Sequence, residues 1–242
     1  MSTLIIGDIA GQYDAMVRLI DRALKASKAP IETIVLVGDL VDRGPDSQRV
    51  VKFAFSHFRD FKVVALRGNH EDMMIECVLG RKWNYSYQGD WLANGGGKTE
   101  LSYEGYDAAA DAVLLDMLPL VYEEPGLIVS HAPLSRHRTL ESIRLLNKRQ
   151  VTGLLNFHNT SRERISFLWD RSPPKQIDDI LQLYGHNGHY DRFCAPSGIP
   201  YAICLDDSRG SGSLCGYIYP EGIEVRQPYG LSPATPEPDP AG

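Results

Sequence analysis

Gly38-Asp39-Leu40-Val41-Asp42-Arg43-Gly44 follows the apolar, β-branched run Ile34-Val35-Leu36-Val37 and precedes the break Gly44-Pro45. Such a run reads as a buried strand that ends in a tight loop, displaying two carboxylates and a guanidinium at its carboxyl end. In open α/β sheets, ligands sit beyond the carboxyl ends of the strands. The chain uses the same device twice more. Leu4-Ile5-Ile6 runs into Gly7-Asp8, and Val63-Val64-Ala65-Leu66 runs into Arg67-Gly68-Asn69-His70-Glu71. Asp8, Asp39 and Asn69 are therefore oxygen donors delivered by successive strand ends about one βαβ unit apart, as parallel crossovers require. The pattern predicts a metal site in an α/β fold.

Composition narrows the setting. With 242 residues, 43% of them hydrophobic, the chain can bury a full core, and one large domain is expected. No apolar run is long enough to span a bilayer, and the N-terminus leads straight into a strand with no signal-peptide pattern. The four cysteines, Cys77, Cys194, Cys204 and Cys215, have no CxxC spacing and read as reduced thiols, which gives a cytoplasmic expectation with no membrane partner. A net charge of −6 argues against a general nucleic-acid binder but leaves anionic substrates open, because divalent ions would reverse the sign locally.

Further along, the apolar spacing predicts helices over 12–27, 46–58 and from His70 onward, with strands at 3–8 and 61–67. The aromatic-rich stretch 80–106 departs from the repeat, and 80–118 is expected to form a cap or insert. Its Asn94-Gly95-Gly96-Gly97-Lys98 invites a phosphate-loop reading, but the spacing is not GxxxxGK[ST] and no strand precedes it, so a flexible cap near the site is preferred. Leu127-Ile128-Val129 runs into Ser130-His131, and Leu181-Gln182-Leu183-Tyr184 into Gly185-His186. Between them lie a helical stretch at 139–155 and a polar loop. Residues 199–206, 213–219 and 222–227 alternate as antiparallel strands joined by turns. The last fifteen residues hold five prolines and few apolar groups, so 228–242 reads as a disordered tail after a domain of 1–227.

A single Gly-Asp or a single histidine after an apolar run is weak evidence of a site. Five strand-end segments supplying Asp, Asp, Asn, His and His at one sheet edge are stronger. Mixed oxygen and imidazole donors suit manganese, iron or zinc rather than calcium.

The order GDxxG, GDLVDRG, GNHE, HA and GH resembles the phosphoprotein phosphatase family of binuclear metallophosphoesterases, particularly its small bacterial and phage members of the lambda type. The resemblance covers about residues 3–227. It implies a calcineurin-like fold, a mixed β-sandwich flanked by helices, and hydrolysis of phosphoserine or phosphothreonine, with phosphotyrosine as a further substrate. It also implies two divalent ions, manganese foremost with iron or zinc as alternatives, a phosphoprotein or phosphopeptide partner and a monomeric state. Asp39 would bridge the ions, Asp8 would bind the first, and Asn69, His131 and His186 the second. Such a pair, held about 3.5–4 Å apart, provides a bridging hydroxide for in-line attack on phosphorus. His70 would protonate the leaving group, with Asp42 orienting its imidazole. Arg43 would clamp phosphate alongside Asn69. A second arginine is expected from Leu168-Trp169-Asp170-Arg171, with Arg162 as its competitor.

One signature residue departs from the pattern. The family's first motif is GDxHG, and here Gly7-Asp8-Ile9-Ala10-Gly11 places Ala10 where the histidine would bind the first ion. The other signature residues are intact, which argues against decay and points to a substitution made to disable the enzyme, with a natural variant as the alternative. The first ion should then bind weakly and activity should be reduced. The related symmetrical diadenosine tetraphosphatases usually carry Ala at position 42 and Asp at position 71, so Asp42 and Glu71 place this chain on the protein-phosphatase side. Hydrolysis of dinucleoside polyphosphates or small phosphoesters is the enzymatic alternative. A non-catalytic phosphate-binding module is the other.

Overall fold

Strand–helix–strand crossovers fix the first three strands as parallel neighbours. β1 (Ser2–Ile6) leads through α1 (Tyr13–Ala26) to β2 (Ile31–Leu36), then through α2 (Ser47–Ala54) to β3 (Lys62–Ala65) and into α3 (Asn69–Val78). Ile5 lies beside Val35, and Leu36 beside Ala65. The computed structural model describes residues 1–230 apart from 57, 60, 81–87 and 153–156.

Two sheets result. The first has the order β11-β10-β1-β2-β3, with β10 (Ser213–Tyr219) and β11 (Ile223–Pro228) antiparallel and the short β9 (Asp206–Asp207) on β10. The second has the order β4-β5-β6-β8-β7, formed from β4 (Val121–Glu124), β5 (Leu127–Ser130), β6 (Leu181–Tyr184), β7 (Asp191–Cys194) and β8 (Pro200–Cys204). β5, β6 and β8 run parallel.

Side-chain alternation builds a layer on each face of the first sheet. Leu4, Ile6, Ile34 and Leu36 pack with Met16 and Leu19 of α1 and Met73 of α3. The intervening Ile5 and Val35 point the other way and meet Val129, Leu183 and Ile203 across the sandwich. Val121 and Ile128 on the outer side of the second sheet are covered by α7 (Leu140–Thr152) and α8 (Phe157–Leu168). The strands are apolar on both faces because both are covered. The chain thus has the mixed β-sandwich with flanking helices expected from its sequence.

The structure departs from the expectations in four places. The polar loop expected after 155 is α8, whose polar His158–Arg164 run hides the periodicity while Phe167 and Leu168 anchor its end in the core. The strand read at 199–206 is β8, which joins the second sheet between β6 and β7, so that of this stretch only Asp206, in β9, pairs with β10. In place of the flexible cap expected near the site, α4 (Gln88–Ala93), α5 (Gly96–Ser102) and α6 (Ala108–Asp116) form, and Trp91, Leu115 and Tyr103 just after α5 pack into the same core as α3. Finally, β11 runs to Pro228, and the Tyr229 hydroxyl donates to the Asp8 carbonyl at 3.0 Å. The rest of the expected disordered tail, 231–242, lies outside the described residues. Among the described residues, no helix is long and apolar enough to cross a membrane.

A buried ion network fixes α3 against its neighbours. Arg67, fully buried just after β3, donates through Nε to Asp72 at 2.5 Å and through Nη1 to Asp116 at 2.8 Å. Arg164 of α8 reaches the same Asp72 oxygen at 3.1 Å. Removing the shared carboxylate would leave two buried guanidiniums facing each other. Breaking such a pair typically destabilises by about 3–5 kcal/mol. Asp72→Asn should therefore lower unfolding stability by about 3 kcal/mol in urea denaturation; a loss below about 1 kcal/mol would mean that the arginines find other partners.

Candidate metal centre and phosphate cleft

Asp8, Asp39, Asn69, His131 and His186 follow β1, β2, β3, β5 and β6 in that order, so the sandwich delivers all five to one end. The backbone turns sharply to aim them. Among the described residues seven non-glycine positions have positive φ, and five of these lie here: Ala10 at 48°, Asp39 at 47°, Asp42 at 73°, Arg43 at 63° and His186 at 71°. Left-handed non-glycine backbone is strained by about 1–3 kcal/mol per residue and persists where the surroundings enforce it, often at functional sites. Ala10 is buried rather than exposed on a loose loop, and its amide donates to the Asp39 carbonyl at 2.7 Å.

His131 Nε2 lies 2.9 Å from Asn69 Oδ1 and 3.3 Å from Asp39 Oδ1. His186 Nδ1 lies 2.9 Å from the same Asn69 oxygen. Donor atoms of Asp39, His131 and His186 all fall within 4.8 Å of one another, and all three residues are buried. Burial lowers the His131 pKa, and burial with the neighbouring His131 lowers that of His186 to about 2, so both rings keep a free lone pair. Asp39 is pulled the other way. Burial alone would raise its pKa, but His131, His70 and Arg43 together hold it below the ordinary carboxylate range. An ionised carboxylate, an amide oxygen and two neutral imidazoles converging on one point fit a borderline divalent ion. The residues present therefore suit the second metal site.

The first site is poorer. Asp8 accepts from the His186 amide at 3.2 and 3.1 Å. Burial, then Asp206, then Asp39 push its pKa well up. A divalent ion would relieve that crowding of carboxylates, but the side chain of Ala10 offers no ligand atom.

Beside this centre, His70 Nδ1 sits 2.5 Å from Asp42 Oδ2. Asp42 is itself clamped: Trp91 Nε1 donates to its two oxygens at 3.0 and 3.1 Å, and Thr99 Oγ1 donates at 2.7 Å. Burial lowers the His70 pKa, yet Asp39 and Asp42 outweigh it, so the net shift is upward. Arg43 Nη2 rests 2.6 Å from His70 Nε2. Arg171 lines the same cleft as Arg43, whereas Arg162 lies exposed on α8 and does not line it.

Trp91 and Thr99 brace Asp42, and Asp206 and Arg209 line the cleft, although the strand-end pattern marks none of them. The glycine run carries a signal for the first two. Gly95, at φ +109°, has no room for a side chain because Arg43 passes close by: a Cβ there would meet Arg43 Cγ and N at 2.9 Å. Its carbonyl accepts from the Arg43 amide at 3.2 Å. The glycines thus let the α4–α5 turn approach Arg43 and Asp42, and the stretch is a brace of two short helices rather than a nucleotide loop.

Fold and site together define a metallophosphoesterase. The match of residues 1–216 to the calcineurin-like phosphoesterase family shows that the chain belongs to that family, whose chemistry uses divalent metals. The chain is 30% identical over 159 residues to the symmetrical bis(5'-nucleosyl)-tetraphosphatase of Vibrio vulnificus, which covers 66% of this chain. It spans 54% of that relative's length. It is 29% identical to serine/threonine-protein phosphatase 1 of Salmonella typhimurium, over 67% of this chain and 81% of that one. A crystal structure described as a putative diadenosine tetraphosphatase superposes with a TM-score of 0.62 at 21% identity, covering 96% of this chain and 95% of that one. That likeness speaks for the fold alone.

The unequal half-sites predict unequal affinity. Calorimetric titration of metal-free protein with manganese should resolve one tight site, lost in His186→Ala, and a second that is weaker by at least about tenfold, since even an outer-shell partner of a ligand contributes that much. Two equal tight sites would mean that Ala10 removes nothing from the first.

Proposed function

We propose that the chain is a metal-dependent phosphomonoester hydrolase of the serine/threonine protein phosphatase type, acting on phosphoproteins or phosphopeptides, with phosphotyrosine as a secondary substrate. The observation that carries this reading is the Asp42–His70 pair at 2.5 Å, with Arg43 at 2.6 Å on the opposite ring nitrogen. A seryl or threonyl alkoxide is a poor leaving group and needs a proton as the P–O bond breaks. Asp42 holds the proton on His70 Nδ1 and turns Nε2 toward the cleft. An incoming phosphate competes for the Arg43 fork, drawing it off Nε2 and leaving that nitrogen to carry the proton for the leaving oxygen. Arg171 supplies a second fork across the cleft, and Asn69 stands beside the phosphate position. Divalent ions, when bound, would neutralise phosphoryl charge and acidify a water for attack; Asp39, Asn69, His131 and His186 would hold one, and Asp39 with Asp8 the other.

A second enzymatic reading, hydrolysis of dinucleoside polyphosphates, is favoured by the Vibrio relative. Asp42 and Glu71 favour the protein-phosphatase side, since Asp42 is the residue on which the orientation of His70 depends. A phosphate-binding module without turnover rests on Ala10 alone.

Restoring the missing ligand tests the reading most directly. Ala10→His should raise phosphomonoesterase activity at saturating manganese by about 10²-fold or more, because a well-held second cation is worth several kcal/mol to the transition state. Although Ala10 is buried, its φ of 48° lies in the region where histidine is among the better-tolerated side chains, so the melting temperature should change little. Equal rates in both proteins would remove the first metal site from the scheme. In that restored background, His70→Asn should slow alkyl phosphate hydrolysis about 10²–10⁴-fold and an activated aryl phosphate far less. Equal losses on the two substrates would show that His70 is not the proton donor.

A further inference from the structure

The cleft holds more positive charge than one phosphate needs. A single phosphoryl group has three non-bridging oxygens, and the proposed function already assigns these to Arg43, Arg171, Asn69 and the metal ligands' cations. Arg209 lines the same cleft and is given no part in that scheme. Among the described residues it forms no ion pair, and nor does Arg171.

The placement of Arg209 is built rather than incidental. Its amide donates to the Gly188 carbonyl at 2.8 Å, two residues beyond His186. Gly188 has φ +83°, and a Cβ there would meet Arg209 Cδ at 2.8 Å and Cγ at 3.1 Å, so the arginine stem lies across a position that must have no side chain. The turn beneath it is pinned from both sides. Asp206 accepts from the amides of Gly188 and Ser208, and Asp207 accepts from the Ser211 hydroxyl at 2.6 Å and from Arg226 at 2.9 Å. Ser208 adds a buried hydroxyl oxygen with no hydrogen-bond partner among the described residues, and Ser208 also lines the cleft. A free guanidinium fork and an unpaired hydroxyl on one pinned turn make a place for another anionic oxygen group.

We propose that Arg209, with Ser208, forms a second phosphate subsite and selects substrates that carry another phosphoryl group next to the one hydrolysed. The inference rests on the proposed function, since it presumes that the first phosphate lies between Arg43 and Arg171. The second group can come from a phosphoanhydride chain or from a neighbouring phosphorylated side chain. Both present non-bridging phosphoryl oxygens, the anhydride placing them closer to the first phosphorus than the second side chain does.

The test is equilibrium binding to the manganese-loaded full chain, comparing the parent with Arg209→Gln and Arg209→Lys. The probes are inorganic phosphate and pyrophosphate. The parent should bind pyrophosphate more tightly than phosphate, and Arg209→Gln should weaken pyrophosphate binding about tenfold, as expected for a lost charge-assisted hydrogen bond, with phosphate binding unchanged. Arg209→Lys should recover part of the loss, which a merely structural role would not allow. Equal pyrophosphate affinity in the parent and Arg209→Gln, at unchanged melting temperature, overturns the second subsite and leaves the proposed function standing. A parent that binds neither anion overturns both. Diadenosine tetraphosphate and a peptide with two adjacent phosphoserines, titrated in the same series, then separate the sources: the one whose affinity falls in Arg209→Gln carries the second group.

Discussion

The geometry of the cleft depends on one buried carboxylate whose described hydrogen bonds all go to backbone amides. Glu71, in the first turn of α3, accepts from the amides of Gly68 at 2.7 Å, Asp39 at 2.9 Å, Leu40 at 2.7 Å and Val41 at 3.3 Å. The loop after β2 has positive φ at Asp39, Asp42 and Arg43, a conformation that forms no regular backbone ladder and would strand those amides in the core. Unpaired, each buried donor would cost about 1–3 kcal/mol. Glu71 gathers them into one acceptor and ties the loop of Asp39 and Asp42 to the helix that carries Asn69 and His70. Burial, with Asp39 nearby, pushes its own pKa to about 7. A carboxylate one methylene shorter would start further from Leu40 and Val41, which gives a physical meaning to glutamate at this position.

The same logic extends outward in shells. Asp42 is buried among a Trp91 indole, a Thr99 hydroxyl and the His70 ring, and its amide is taken up by Ser47 and Thr99 at 3.0 and 2.9 Å. A histidine so held has one orientation available, and the helix beneath it is pinned in turn by Asp72 between Arg67 and Arg164. Strain at the loop, hydrogen bonds around it and ion pairs below it therefore act on one geometry. The side chains proposed as proton donor, phosphate clamp and metal ligands are positioned together because they share these supports.

Much of this is legible in the amino-acid sequence alone. The strand ends carrying Asp8, Asp39, Asn69, His131 and His186 follow from largely apolar runs that stop at Gly-Asp, Gly-Asn, Ser-His or Gly-His, and that signal survives because both faces of the strands are covered. Arg171 can be placed in the cleft for a related reason, as it follows closely on the buried end of α8. What stays hidden lacks a local signature. α8 begins with a polar run and is stabilised at Arg164 by a carboxylate 92 positions away. β8 alternates as an antiparallel strand and does pair antiparallel with β7, yet its other neighbour is the parallel β6 and not β10, because its partners are chosen by the sandwich and not by the following turn. Trp91 and Thr99 look like ordinary cap residues until the glycines beside them are seen to admit Arg43. Arg209 is hidden for the same reason, since only the fold brings its turn across Gly188.

The two halves of the proposed metal centre have opposite deficits. On the His131–His186 side, neutral imidazoles and an amide oxygen surround one carboxylate that its neighbours keep ionised, so ligands are in surplus and charge is modest. On the Asp8 side, three buried carboxylates, Asp8, Asp39 and Asp206, lie close enough to raise the pKa of the first, while the position beside them carries a methyl group. Asp206 accepts from the Gly188 and Ser208 amides, one on each oxygen, and adds its charge to the field at Asp8. An ion on this side is attracted strongly but coordinated thinly. Attraction without coordination favours exchange, because a hydrated divalent ion satisfies the field at longer range than a ligated one. Ala10 therefore alters not whether positive charge gathers near Asp8 but how firmly it is fixed, and firmness is what a reaction with developing charge on phosphoryl oxygens requires.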